Sequence, residues 1–172
     1  EIIFSAKYDN SNPAERWPYR HSIFVYDASI QQQEWQSPYI EGFYYSANIA
    51  DIDGDGIEEI IAMPYDSELG KNFIYVYDAQ TYQLKWKTET GLVTNANFNF
   101  SIYDLDQDGF LDIFVAQSVK EDYTKSEILV IDGKTHKEKT RYLLESQDAT
   151  QITALKVKVV DINNDETAEI IV

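Results

Sequence analysis

The sequence predicts an all-β chain of β-propeller blades: about three four-stranded antiparallel units that form part of a larger propeller. Three observations predict it. Two sequence motifs alternate with a period of roughly fifty residues, each period divides into four short strand-like runs, and no segment of twelve or more residues carries a clear helical period.

The first motif is ADIDGDGIEEIIA at 50–62, YDLDQDGFLDIFVA at 103–116 and VDINNDETAEIIV at 160–172, with leading aspartates Asp51, Asp104 and Asp161. The second is IFVYDASIQQQEWQS at 23–37, IYVYDAQTYQLKWKT at 74–88 and ILVIDGKTHKEKTRY at 128–142. The opening EIIF matches EIIA at 59–62, DIFV at 112–115 and EIIV at 169–172, so the chain begins and ends in the same phase. The repeat units of this single propeller segment, 1–172, are therefore 1–58, 59–111 and 112–168, with a further unit starting at 169–172.

The middle period gives the strands most clearly. Residues 43–50 are rich in aromatic and β-forming types, and 59–63 is a continuous apolar run of the kind seen in a strand buried on both faces. Residues 72–78, a turn at AQT, and 82–88 read as a hairpin. Asp78, repeated as Asp27 and Asp132, is expected to cap the turn through its own backbone neighbourhood. Trp35 and Trp86, at one phase of the fourth strand, are expected to pack between adjacent sheets.

Composition narrows the function. With 44% apolar and 14% aromatic residues the chain is rich enough for a packed core. Thirty acidic against fourteen basic residues give a net charge of −16, which argues against nucleic acid or an anionic membrane as partner and suits a chain that binds cations. No cysteine is present, so thiolate metal sites, disulfides and a cysteine nucleophile are excluded. No apolar run reaches the length of a membrane span, so no direct membrane insertion is expected. The start, EIIFSAKYDN, lacks the layout of a signal peptide; a secretion signal, if used, lies outside this chain.

Asp51, Asp53, Asp55, Glu58 and Glu59 fall within nine positions. Like charges this close need a counter-charge. An oxygen-rich loop suits calcium, a hard cation, and glycine at the sixth position allows a turn with positive φ. The loop begins as an EF-hand does, but position twelve falls on Ala62 and Val115, and the closing acid is at position nine: Glu59, Asp112 and Glu169. The flanks are strands as well, so an EF-hand is excluded.

DIDGDGIEEIIA and DLDQDGFLDIFVA resemble the calcium loops of the FG-GAP/VCBS repeat family, β-propeller blades found in integrin α-subunit heads and in bacterial surface and secreted proteins. The resemblance implies Ca2+ ligands from the side chains at positions 1, 3, 5 and 9 and the carbonyl at position 7. It assigns Asp51, Asp53, Asp55, Ile57 (carbonyl) and Glu59 to the first loop, and Asp104, Asp106, Asp108, Phe110 (carbonyl) and Asp112 to the second. The third would use Asp161, Asn163, Asp165, Thr167 (carbonyl) and Glu169, with Glu166 in place of the glycine. The hairpin motif is similar to that of quinoprotein-like blades too, without any cofactor residues.

The functional expectation is an extracellular or cell-surface calcium-binding propeller module for adhesion, carbohydrate or protein recognition, or surface assembly. Further blades of the same chain or further copies of the unit would complete it. The alternative is the propeller part, catalytic or not, of a secreted polysaccharide-degrading enzyme. His21 and His136 sit in polar sequence surroundings and read as solvated residues, not bases. The connection AKYDNSNPAERWPYRH at 6–21 carries Tyr8, Trp17 and Tyr19, and later connections carry Tyr65 and Tyr123; these aromatics are the candidate ligand contacts. NFS at 99–101 is a glycosylation sequon on an expected strand.

Overall fold

A computed structural model describes residues 2–9, 19–89, 91–92, 100–119, 124–146, 156–163, 165 and 167–172; the side chains at 7–9, 19–20, 41, 45 and 118 are outside that description. The chain divides into two compact units, Glu1–Ile49 with Ile60–Gly91, and Ala50–Glu59 with Leu92–Val172. The described residues form strands and turns, with no helix.

In the first unit the strands are β1 (Ile2–Asp9), β2 (Tyr19–Asp27), β3 (Gln32–Gln36), β4 (Ile40–Ala50), β5 (Glu59–Asp66), β6 (Lys71–Asn72), β7 (Tyr75–Asp78) and β8 (Leu84–Lys87). They hydrogen-bond in the order β1-β2-β4-β5-β7-β8, with β3 on β2 and β6 on β5. This is two blades: β1-β2-β3 supplies the last three strands of one and β4-β5-β7-β8 all four of the next, bridged at Arg20↔Glu41 and His21↔Ile40. The second unit holds β9 (Phe100–Tyr103), β10 (Asp112–Ser118), β11 (Lys125–Ile131) and β12 (Glu138–Glu145) as one four-stranded antiparallel sheet, and β13 (Lys158–Val160) pairs with β14 (Glu169–Ile171). The sheets do not close, so the chain is a partial propeller.

Burial follows strand position. Ile60, Ile61, Ala62 and Met63 on β5 are fully buried, as are Ile113, Phe114 and Val115 on β10, so the continuous apolar runs are interior strands. The fourth strands β3, β8 and β12 are largely exposed. In the second unit Phe114, Ala116, Ile128, Val130, Val157 and Val159 form one core cluster, with Tyr103, Leu105 and Leu144 against it. In the first, Trp35 from β3 packs on Ile23, Tyr44 and Ala62 and also on Val25, Ile60 and Tyr77. Its ring meets Tyr77 edge-on at 5.2 Å and stacks on Tyr82 at 5.1 Å, so it joins one blade to the next as expected.

The three hairpins of the repeated second motif are built alike. The Oδ1 of Asp27 accepts from the amides of Ser29 and Ile30, that of Asp78 from Gln80 and Thr81, and that of Asp132 from Lys134 and Thr135. The turn then places Gln31, Tyr82 and His136 at φ 57°, 58° and 60°, and the strand register slips at Val25/Tyr26, Val76/Tyr77 and Val130/Ile131. These amide bonds, first among the causes for Asp78, hold its carboxyl below the usual aspartate value.

Three expectations change. The connection at 6–21 is shorter, because β1 and β2 continue as a ladder through Ala6↔Ser22, Lys7↔His21, Tyr8↔Arg20 and Asp9↔Tyr19, which satisfies their backbone groups; only 10–18 separates them. The strand expected at 72–78 is divided, Lys71–Asn72 pairing with the end of β5 and Tyr75–Asp78 with β8. His21 is half-buried, its ring 5.1 Å from Phe43, and so is a packing residue; His136 is exposed, as expected.

Removing the blade-joining indole tests this packing: Trp35→Ala should cost about 3 kcal/mol of folding free energy, and Trp35→Phe clearly less. Chemical denaturation of the two variants measures the difference, and an unchanged Trp35→Ala would contradict the assigned contacts.

Candidate metal centre

The three acidic segments fold as one repeated structure. In each, the carboxylate at position nine accepts the amide of position two: Glu59 Oε2 from Ile52 at 2.9 Å, Asp112 Oδ2 from Leu105 at 3.2 Å, and Glu169 Oε2 from Ile162 at 2.8 Å. The carboxylate at position one accepts from position five, Asp51 from Asp55, Asp104 from Asp108 and Asp161 from Asp165. Asp51 and Asp104 also accept from the position-six glycines Gly56 and Gly109 at 2.9 Å. Position seven donates back to position five in all three, through the amides of Ile57, Phe110 and Thr167. The chain thus curls around its own carboxylates.

Gly56 and Gly109 have φ 86° and 89°, as the motif requires. Position four adopts the same left-handed conformation, at Gly54 with φ 72° and Gln107 with φ 58°. This second turn is the part of the loop the motif did not announce. At Gly54 the absence of a side chain also makes room: a Cβ would lie 2.8 Å from the Gly109 carbonyl oxygen. The first two loops pack together there, and the Leu111 amide donates to the Ile52 carbonyl at 2.8 Å.

Carboxylate oxygens of Asp51, Asp53 and Glu59 lie within 4.8 Å of one another, and so do those of Asp104, Asp106 and Asp108. Glu59 and Asp112 are buried, at 0% and 1% exposure. All these donors are hard oxygens, and three converge in each loop, so the residues fit a hard divalent cation. Asp55 stands apart from the first trio and accepts the Ile57 amide.

Asp112 is drawn elsewhere. Lys139 Nζ, from β12, lies 3.1 and 3.0 Å from its two carboxylate oxygens and 2.8 Å from Asp106. Burial pushes the Asp112 carboxyl above its ordinary value even so. Burial alone would lower the Lys139 ammonium, but its hydrogen bonds to Asp106 and Asp112 outweigh that and raise it. Lys134 Nζ lies 3.1 Å from Asp108 Oδ2 and over the Phe110 ring at 4.8 Å. The Asp108 carboxyl is held low, first by the Phe110 amide and then by Lys134. Both lysines come from a hairpin distant in sequence from the acidic loop, and the sequence marks only Lys139, through the basic position it shares with Lys85 on the fourth strand.

The third loop differs. The Asn163 side-chain amide donates to Asp165 Oδ2 at 3.0 Å, so position three is internally bonded. Glu166 lies outside the described residues, as do Trp17, Tyr123 and Asn99. Of the candidate ligand aromatics, Tyr65 stacks on Phe43 with ring centres 6.4 Å apart and so serves internal packing. Tyr8 and Tyr19 sit on the paired strands β1 and β2, their side chains outside the description.

Open antiparallel blades with an acidic turn between first and second strands define a β-propeller repeat protein. The sequence model described as FG-GAP-like repeat matches residues 51–115 and 104–172, more than half of the chain, and the chain belongs to that family. Among solved structures it is similar to the one titled "Structure of Dos1 propeller", with TM-score 0.52 and 8% identity, over 90% of this chain and 36% of that one. That likeness concerns the fold alone, and the chain spans little more than a third of that propeller. A search of curated proteins finds no match.

The loop geometry separates two glycine substitutions. Gly54→Ala meets both the positive φ and the Gly109 carbonyl, whereas Gly56→Ala has open space and meets the φ strain alone, worth about 1–2 kcal/mol. Thermal denaturation should show Gly54→Ala as the more destabilised variant; the reverse order would contradict the contact between the loops.

Proposed function

We propose that this chain is a calcium-binding segment of an extracellular β-propeller whose partner is a protein or a carbohydrate. The observation that carries the reading is the convergence of three hard oxygen donors in each of the first two loops, on a fold repeated three times. In the first loop Asp51, Asp53 and Glu59, with Asp55 and the Ile57 carbonyl, would hold the ion; in the second, Asp104, Asp106 and Asp108, with the Phe110 carbonyl and Asp112. The ion would neutralise the carboxylates and brace the turn. The chain's own residues supply the rest, the backbone amides orienting each carboxylate before any ion arrives.

Calcium fits better than magnesium because each loop offers five oxygen donors, more than an octahedral ion that keeps several waters takes up. Extracellular modules of this kind bind at about 10⁻⁴–10⁻³ M, a concentration met outside the cell, and this supports a surface or secreted location. A net charge of −16 supports a partner other than nucleic acid. The open sheets support completion by further blades, from the same chain or another copy, in a role of adhesion, recognition or surface assembly.

Two measurements test the reading. Excess calcium should raise the melting temperature over that in EGTA, since each site contributes about 2.7 kcal/mol at a hundredfold excess over its Kd; equal temperatures would sink the proposal. In calcium titrations of Asp51→Ala, Asp104→Ala and Asp161→Ala, the last should remove the weakest site, because position three there is the neutral Asn163. Loss of the tightest site on Asp161→Ala would refute that order.

A further inference from the structure

The second acidic loop already holds a cation, and it is part of the chain. Lys139 Nζ lies 2.8 Å from Asp106, 3.0 Å from Asp112 Oδ2 and 3.5 Å from Asp132, with the side chain 18% exposed. We propose that Lys139 is a tethered counter-cation that competes with calcium for this loop, so that the ion enters by displacing the ammonium. The inference rests on the calcium reading above.

The competition follows from shared ligands. Asp106 and Asp112 stand at positions three and nine, and Lys139 bonds to both. Calcium would sit about 2.3–2.6 Å from the same oxygens, within a few ångströms of Nζ, where surrounding protein weakens the screening of their repulsion. Asp112, at 1% exposure, cannot turn to water as a substitute partner for either cation. The lysine has somewhere to go: its flexible four-carbon stem can swing it toward Asp132, whose Oδ2 is already 3.5 Å away while Oδ1 caps the hairpin. Lys134, on Asp108, adds a second ammonium, so two positive charges of the chain itself contact three of the four carboxylates. The loop can therefore keep its shape without metal, and its calcium affinity is lowered by the same contacts. Because the two cations exclude one another, their coupling is reciprocal.

Lys139→Met keeps most of the stem and removes the charge. In the intact protein, with loop one silenced by Asp51→Asn, calorimetric titration with calcium chloride should show loop two binding about tenfold more tightly in the Lys139→Met background. The metal-free melting temperature should fall at the same time. An unchanged or weaker affinity would overturn the proposal, since a lysine that merely orients Asp112 would help binding. A second measurement needs no substitution. Amine acylation read by mass spectrometry should label Lys139 faster in calcium than in EGTA as the ammonium is released, and equal or slower labelling would overturn the proposal. If loop one of the unaltered protein binds no calcium, the calcium reading fails and this inference with it. If loop one binds while loop two ignores Lys139→Met, the competition alone is wrong.

Discussion

One hydrogen bond organises each blade entrance: the amide of the second loop residue donating to the carboxylate of the ninth. It joins Ile52 to Glu59, Leu105 to Asp112 and Ile162 to Glu169. The acceptor is also the first residue of β5, β10 or β14, so one contact closes the loop and fixes where the strand begins. The consequence is electrostatic. In the first two loops the acid is buried, and the curl of the chain brings further carboxylates within 4.8 Å of one another. A buried carboxylate among others is costly unless a cation or several donors balance it. The geometry that makes the turn thus creates the demand for positive charge.

The hairpins answer part of that demand from the same end of the sheet. Asp132 shapes its turn with one oxygen and faces Lys139 with the other, and Lys134, within the turn, reaches Asp108. The zigzag order β9-β10-β11-β12 makes this possible, because alternate connections fall at the same end. A residue 27 positions away in the chain thereby becomes a neighbour of the acidic loop.

That distance explains what could and could not be read from the sequence. The loops and the capped hairpin turns were legible because each rests on a local pattern repeated three times, and the role of Trp35 because it recurs as Trp86; repetition separates a structural requirement from chance. The strand ends were less legible: Ala6–Asp9 and Tyr19–His21 look like a polar connection, yet they pair as a ladder whose backbone bonds do not depend on side-chain character. From their neighbours in sequence His21 reads as solvated and Tyr65 as a candidate ligand contact, but their rings meet at Phe43 from strands far apart in the chain. Lys139 was hidden for the same reason, since its partners lie on other strands. The left-handed position-four residue was hidden because Gln107 carries no sign of positive φ.

The two means of balancing charge have different physical consequences. A divalent ion is shared by all its ligands at once and draws them inward, so it braces the turn to the extent that its concentration fills the site. An ammonium on a flexible stem carries a single charge shared between the carboxylates it touches, is present at any concentration of metal, and ties the loop to the fourth strand of its own sheet. In the second loop the tie runs from Asp106 and Asp112 to β12, which is otherwise the exposed edge of a four-stranded sheet. The contact therefore adds to the β11 ladder and the Leu144 packing a further anchor, from a largely solvent-facing strand to the buried start of β10. An ion that took over the carboxylates would brace the turn and loosen that anchor in one step, so the state of the loop is coupled to the state of the sheet edge.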